Sequence, residues 1–339
     1  MAVETLAQRP VTDAAQAIDH LIAATREGME AVNRLILSRS ESPVDMVPEV
    51  ANHLLESGGK RLRPMLTIAA SQTFEQAGGN EIRFAAAVEF MHNATLLHDD
   101  VVDESTMRRG VPAARTIWGN QASVLVGDFL LGQAFLMMVE SKDLEALGVL
   151  AKAASVIAEG EVFQLAKAGD LETTAADYEK IIHAKTATLF EAATEVGAMA
   201  GGADPAARKA LATYGRELGM AFQLVDDVLD YGGARGTLGK NTGDDLREGK
   251  MTLPVILALA AGTAAEKAAI AAALGNPDAG EKEVEAVVSI FGHHDTLRAT
   301  MDKAERHAEA ARAALASLPA SLERDILFDV PEFCTQRAY

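Results

Sequence analysis

The sequence predicts an almost wholly α-helical chain, and three observations carry that expectation. Alanine recurs in runs such as AAAVEF, AKAASVIAEG, EAATEVGAMA and AAIAAALG, and alanine is the strongest helix former. Aromatic residues make up only 5% of the chain, and alternating β-branched patterns are hard to find. Apolar residues return instead every three or four positions, as at Val50 and Leu54, at Val149, Ala153 and Val156, and at Ile181, Ile182 and Leu189.

Taken in order, residues 1–40 are weakly apolar and read as an N-terminal arm or peripheral helix. From about residue 41 to 339 the helical pattern is continuous, so one large domain is expected. Short breaks separate its helices: GGK at 58–60, GGN at 78–80, GGADP at 201–205 and GNPDAG at 275–280. Gly58 is placed to end one helix and Pro64 to open the next, the usual asymmetry of helix ends. The apolar run from Met251 meets Glu266 and Lys267 before it reaches the length of a membrane span, so it reads as a buried helix.

The 339 residues carry 31 Lys+Arg against 49 Asp+Glu, a net charge of 31 − 49 = −18. With 49% apolar residues the chain can bury a large core. The acidic balance argues against nucleic acid as a partner and against a polybasic membrane anchor; at most a peripheral membrane contact is expected. One cysteine, Cys334, excludes an intrachain disulfide and points to a reducing compartment. Acidic residues through the first thirty leave no apolar leader, so a cytoplasmic protein is expected.

Two segments stand out chemically: Asp99-Asp100-Val101-Val102-Asp103 and Asp226-Asp227-Val228-Leu229-Asp230. In a helix the first and last Asp of each lie one turn apart, about 6 Å along the axis and on one face. Like charges there repel, so a chain does not gather them on apolar helices for stability. A solvated acidic helix end accounts for one such cluster more easily than for two. Clustered carboxylate oxygens suit Mg²⁺, a hard cation that keeps waters and bridges to substrate phosphates.

Cations complement them. Lys60 and Arg63 lie in GGKRLRP, a glycine loop at a helix N-terminus that already favours anions. Arg108 and Arg109 follow the first Asp cluster, Lys185-Thr186 falls within a helix, and Lys240 and Lys250 flank GKNTGDDLREGK. Singly each reads as surface charge; together they look like donors for phosphate oxygens. A nucleotide P-loop fails on spacing, since its first glycine would fall on Leu54, Ala234 or Asp244. His92 shares a helix face with Asp99, where a packed histidine is the default and a phosphate donor the alternative. His293-His294 lacks a second ligand pair, no GxSxG is present, and Cys334 has no case as a nucleophile.

GGKRLRP, LLHDDVVDESTMRRG, AKTATLFEA, FQLVDDVLDYGG and GKNTGDDLREGKMTLP, in that order and spacing, resemble the trans-prenyl diphosphate synthases, most of all the long-chain octaprenyl and decaprenyl enzymes. The resemblance covers nearly all of the chain beyond residue 40. It implies the class I isoprenoid synthase fold, a helical bundle around a deep central cavity, and a homodimer. By this similarity Asp99, Asp100, Asp103 and Asp226 would hold Mg²⁺, with Asp227 and Asp230 acting more through water or orientation. Arg108, Lys185 and Lys240 would grip the allylic diphosphate, farnesyl or geranylgeranyl, with Lys250 as a further substrate-binding cation. Lys60, Arg63, His92 and Arg109 would bind isopentenyl diphosphate. Thr186 and Gln223 would face the reacting carbons and stabilise a developing carbocation.

In such enzymes the growing chain runs down the helix that bears the first Asp motif. Here the positions that would stop it are Ala94 and Thr95, with Met91 a turn further down. Small residues there imply a long product, about C40–C50, suited to quinone side chains. A short-chain synthase remains the alternative within the family, and alanine at 94 can equally be plain helix packing. A terpene cyclase would not need GGKRLRP and Arg109; a non-catalytic partner subunit would be expected to lose aspartates from one motif, and this chain keeps all six. His92 stands where short-chain members usually carry Gln, and Arg337 lies near the C-terminus, where they often end on a basic residue.

Overall fold

The computed structural model describes residues 13–74, 79–232 and 242–336. Helices α1 (Ala14–Arg39), α2 (Met46–Glu56) and α3 (Leu62–Gln72) precede α4 (Glu81–Val102). A two-stranded hairpin follows, β1 (Met107–Arg108) with β2 (Val111–Pro112), then α5 (Ala114–Trp118), α6 (Asn120–Glu140) and α7 (Leu144–Lys167). Next, α8 (Ala175–Ile182) runs through a π-helical segment, His183–Ala187, into α9 (Thr188–Ala200) and on to the long α10 (Pro205–Gly232). The remainder is α11 (Asp244–Arg247), α12 (Leu253–Ala261), α13 (Ala264–Ala273), α14 (Glu281–His293), α15 (Thr296–Ala314) and α16 (Leu322–Thr335). The all-α expectation holds, and the described glycines of these breaks fall between helices.

Helix starts are set by short polar side chains. Asp143 accepts from the backbone N–H groups of Glu145 and Ala146 at α7, and Thr174 with Asp177 forms a capping box at α8. Thr263 and Glu266 form another at α13. The hairpin was not foreseen. Its turn residues Arg109 (φ 52°) and Gly110 (φ 82°) are both left-handed, the signature of the type I′ turn that suits two antiparallel strands.

The central helix α4 is buried along most of its length, from Phe84 to Leu97. One apolar cluster joins it to α2, α6, α7 and α9. A second unites α8, α10, α12, α14 and α15, and a third ties α1 and α3 to α10 and α16. In the N-terminal segment, Ala17, Leu21, Thr25, Val32 and Ile36 of α1 are buried at helical spacing. Residues 1–12 lie outside the described residues. As expected, the apolar run after Met251 is a buried helix, α12.

A longer apolar helix escaped the sequence reading. α6 is 21 residues long with mean hydropathy 1.8, enough by length and composition to cross a membrane. Its inner face is bundle core, with Val126, Leu130, Ala134, Met137 and Met138 buried. Its outer face shows Leu125 (66% exposed), Leu136 and Val139, and α7 adds Val162 (68%) and Leu165. Leu125, Leu136 and Val139 lie 11 and 3 positions apart, which places them on one side of α6.

Candidate active site

The first Asp motif occupies the last turn of α4, and Asp103 caps it. Each of its three carboxylates meets a cation from a different element. Asp100, 1% exposed, accepts at Oδ1 from Arg108 Nε (2.7 Å) and pairs there with Nη2 (2.6 Å). Asp99 lies 3.8 Å from Lys185 Nζ, which itself is 2.8 Å from Glu161 of α7. Asp103 accepts from Lys250 Nζ at 3.0 Å, and Lys250 also reaches Glu248 (2.6 Å) and Asp245 (3.6 Å). Like charges one turn apart repel, so in this structure each is neutralised singly. Among the described residues no three acidic or histidine side chains already stand in metal-ligating array.

Burial drives the titration. It pushes the Asp99 carboxyl up to about 7, with Lys185 pulling the other way and Glu161 and Asp103 adding repulsion. At Asp103 burial acts in the same direction, but Lys250 and Lys185 outweigh it and hold that carboxyl below its ordinary value. At Lys250 burial works against the charge, and Asp245, Asp103 and Glu248 more than offset it.

The second motif lies in α10. Asp227 is 3% exposed and both its oxygens are taken: Tyr178 OH donates to Oδ2 (2.6 Å) and Gln223 Nε2 to Oδ1 (2.8 Å). The two bonds hold the Asp227 carboxylate in one orientation. Asp230 anchors the following segment, accepting from the backbone N–H of Asp245 at Oδ2 (3.3 Å) and of Gly243 at its carbonyl (3.0 Å). Asp226 sits close enough to Arg63 to favour its charge.

The π-helical segment joins the two walls. Its adjacent residues reach opposite ways, Lys185 to Asp99 on α4 and Thr186, whose hydroxyl donates to Gln223 Oε1 at 2.7 Å, to α10. A regular helix was expected around Lys185-Thr186. The wider turn, with Thr188 Oγ1 donating to the His183 carbonyl five residues back, is the kind of irregularity that marks functional helices. It fits because α7 and α10 come very near: a Cβ on Gly160 would meet Ala184 Cβ at 2.5 Å, and one on Gly219 would meet Ala187 Cα at 2.5 Å.

A cationic cluster adjoins. Arg61 opens α3 in the left-handed region (φ 48°), which turns the loop so that Lys60 Nζ lies 4.0 Å from the Phe333 ring and Arg63 4.3 Å from that of Phe190. Arg109, on the hairpin turn, donates to the Gly58 carbonyl. Burial, opposed by Glu89 and Asp226, lowers the Arg63 guanidinium to about 10. Burial and the charges of Arg63, Arg109 and Arg108 push His92 well below its ordinary value, so the imidazole is neutral.

Buried atoms without hydrogen-bond partners say what fits here. Asp100 Oδ2 and Glu161 Oε1 are acceptors and Arg63 Nε is a donor. Acceptor oxygens beside buried aspartates suit a divalent cation, and a guanidinium donor suits a diphosphate. Lys240 and Arg337 lie outside the described residues. Met91 and Ala94, each 1% exposed, are in the apolar cluster around α4, and Thr95 donates to the His92 carbonyl at 2.8 Å. Sequence reasoning missed Glu161, Glu89 and Tyr178. A Gly-Glu pair inside an apolar helix was the signal available for Glu161; nothing local marked Tyr178.

Comparison with known proteins gives a consistent answer. The polyprenyl synthetase family matches residues 44–291. The octaprenyl diphosphate synthase of Haemophilus influenzae is 42% identical over 323 residues, covering 95% of this chain and 98% of that protein. A polyprenyl synthase structure from Caulobacter crescentus CB15, complexed with calcium and isoprenyl diphosphate, superposes with TM-score 0.91 at 48% identity, covering 95% of this chain and 98% of that one. A decaprenyl diphosphate synthase structure from Rhodobacter capsulatus gives TM-score 0.90 at 47% identity, covering 95% and 99%. On the matched motifs, the fold and these relatives, the chain belongs to the polyprenyl synthetase family.

Proposed function

We propose that this chain is a Mg²⁺-dependent prenyltransferase that adds isopentenyl diphosphate head-to-tail to an allylic diphosphate, making an all-trans product of about C40–C50. The observation that carries this is the π-helical bridge, which sets Lys185 against Asp99 and Thr186 against Gln223 in consecutive residues. Such a bridge places a diphosphate-binding cation beside the polar group that faces the reacting carbons.

Lys185 and Arg108, with Lys240, offer N–H donors to the allylic diphosphate, while Lys60, Arg63, His92 and Arg109 hold that of isopentenyl diphosphate. His92, kept neutral, donates one N–H without adding charge. Mg²⁺, when held by Asp99, Asp100, Asp103 and Asp226, supplies positive charge against the departing diphosphate. Thr186 has committed its proton to Gln223, so its lone pairs face outward as the pole that steadies the allylic cation. The isopentenyl double bond attacks that cation, and the proton then lost goes to the released diphosphate. Apolar walls keep water from quenching the cation.

Long product length is supported by the small side chains at Ala94 and Thr95 and by the octaprenyl and decaprenyl enzymes among the relatives. Purified protein given farnesyl diphosphate, labelled isopentenyl diphosphate and Mg²⁺ is expected to yield about C40–C50 alcohols after hydrolysis. A C15–C20 product would make it a short-chain synthase. No incorporation from any allylic starter would leave a non-catalytic partner subunit as the better reading.

The pH dependence follows from Asp99. Its folded value of about 7 lies above the ordinary 3.8, so the native state binds the proton more tightly than the unfolded chain. That contribution to stability is complete below about pH 4 and is lost as pH rises to about 7. A divalent cation held by Asp99 would take the place of that proton. The rise in thermal midpoint on adding Mg²⁺ is therefore expected to be larger at about pH 8 than at about pH 6; equal shifts would refute this account.

We further place the protein in the cytoplasm, a reading supported by its one buried cysteine, and as a homodimer. The apolar stripe of Leu125, Leu136 and Val139 on α6, continued by Val162 and Leu165 on α7, offers a self-complementary face for a second copy. Leu136→Glu is expected to halve the sedimenting mass, and an unchanged mass would exclude this face.

A further inference from the structure

Tyr178 takes no part in the chemistry set out above, yet it is 3% exposed and tied to the site by the shortest bond of a directed chain. Its phenol donates to Asp227 Oδ2 at 2.6 Å, Gln223 Nε2 donates to Asp227 Oδ1 at 2.8 Å, and Thr186 Oγ1 donates to Gln223 Oε1 at 2.7 Å. The chain links α8, α10 and the π-helical segment.

The directions matter as much as the distances. A carboxamide can turn either its oxygen or its nitrogen toward a neighbour. With Nε2 given to Asp227, Gln223 presents Oε1 to Thr186, so the hydroxyl must spend its proton there and keep its lone pairs for the reacting carbons. Were Asp227 free to rotate, Gln223 could flip, donate to Thr186 and consume a lone pair. Tyr178 is the second donor, on the far oxygen, that helps to keep the carboxylate in place.

We propose that Tyr178 is a positioning residue for chain elongation: through Asp227 it fixes the orientation of Gln223 and thereby keeps the Thr186 oxygen aimed as an acceptor at the developing cation. This rests on the prenyltransferase reading given under Proposed function. The alternative is that Tyr178 only packs, since its ring belongs to the apolar cluster with Val228 and Tyr231.

Tyr178→Phe keeps the ring and removes the donor. In the farnesyl diphosphate assay it is expected to lower kcat by about tenfold to a hundredfold, the scale of a misplaced reacting group. KM for isopentenyl diphosphate should stay within about twofold, because Lys60, Arg63 and Arg109 are untouched. A double-variant comparison separates positioning from packing. If Tyr178 acts through Thr186, adding Tyr178→Phe to Thr186→Ala should cost less than about twofold more, because residues acting as a unit are not additive. Wild-type kcat in Tyr178→Phe overturns the inference, as does full multiplication of the two losses, or a lowered thermal midpoint with kcat unchanged. No incorporation by the wild-type chain overturns the underlying reading and this inference together; an active wild type with an unimpaired Tyr178→Phe overturns this inference alone.

Discussion

Asp100→Asn is expected to lower kcat by about a thousandfold while leaving helical content and thermal midpoint close to wild type. The substitution keeps the shape of the side chain and an acceptor oxygen for Arg108, which bonds Oδ1 alone. What it removes is the anionic character of Oδ2, which is buried without a hydrogen-bond partner. Mg²⁺ is usually bound through one or two carboxylates, with water filling its other positions, and a metal ion contributes several kcal/mol of charge stabilisation in such reactions. About 4 kcal/mol corresponds to about a thousandfold in rate. Steady-state kcat at saturating Mg²⁺, with circular dichroism as the control, decides the matter. A loss of less than about tenfold would mean that Asp100 serves only to hold Arg108.

The second large effect is on product and not on rate. Ala94→Phe is expected to move the product from about C40–C50 to about C15–C20, read by chromatography of the hydrolysed alcohols. Ala94 lies five residues before Asp99, about 7.5 Å down the axis of α4, and Met91 follows about a turn below. At 1% exposure inside the apolar cluster shared by α4, α6, α7 and α9, a phenyl ring there projects into apolar space. Overpacking typically costs about 1–3 kcal/mol, so a modest fall in thermal midpoint is expected alongside. Unchanged product length in a folded Ala94→Phe variant would show that the stop lies elsewhere.

The loop proposed to bind isopentenyl diphosphate illustrates how far local chemistry reaches. Gly58-Gly59 and Pro64 mark a helix break from sequence alone. Glycine at 59 answers to a φ of 138°, which side chains rarely adopt, and a Cβ there would also push the Arg109 guanidinium aside, its Nη1 lying 2.5 Å away. The same division runs through the Asp motifs. Their clustering on apolar helices is legible because burying like charges needs a functional reason. Their pairing is not legible, because Arg108, Lys185 and Lys250 come from a hairpin, a π-helical turn and a loop, up to 147 residues away in sequence.

The features that sequence reasoning missed share this origin. A type I′ turn at Arg109-Gly110 competes with a helical reading only once two strands pair. The outward stripe of α6 cannot be told from a core face by periodicity, since both are apolar at helical spacing; α6 is apolar on both sides, and only packing against α4 shows which side is inside. Tyr178 looks like one more residue in a capped helix until α10 lies against it.

The helical class, the breaks between helices, the two carboxylate clusters and the cations that complement them are all legible in the residues alone. These depend on propensity, spacing and residue chemistry, all of which act within a few residues along the chain. Which cation meets which carboxylate, the binding of Asp227 on both oxygens, and the opposite walls reached by consecutive residues Lys185 and Thr186 emerge only when distant segments pack. Those outcomes depend on burial and on distances between segments far apart in sequence, where desolvation and hydrogen-bond direction, not local preference, set the energy.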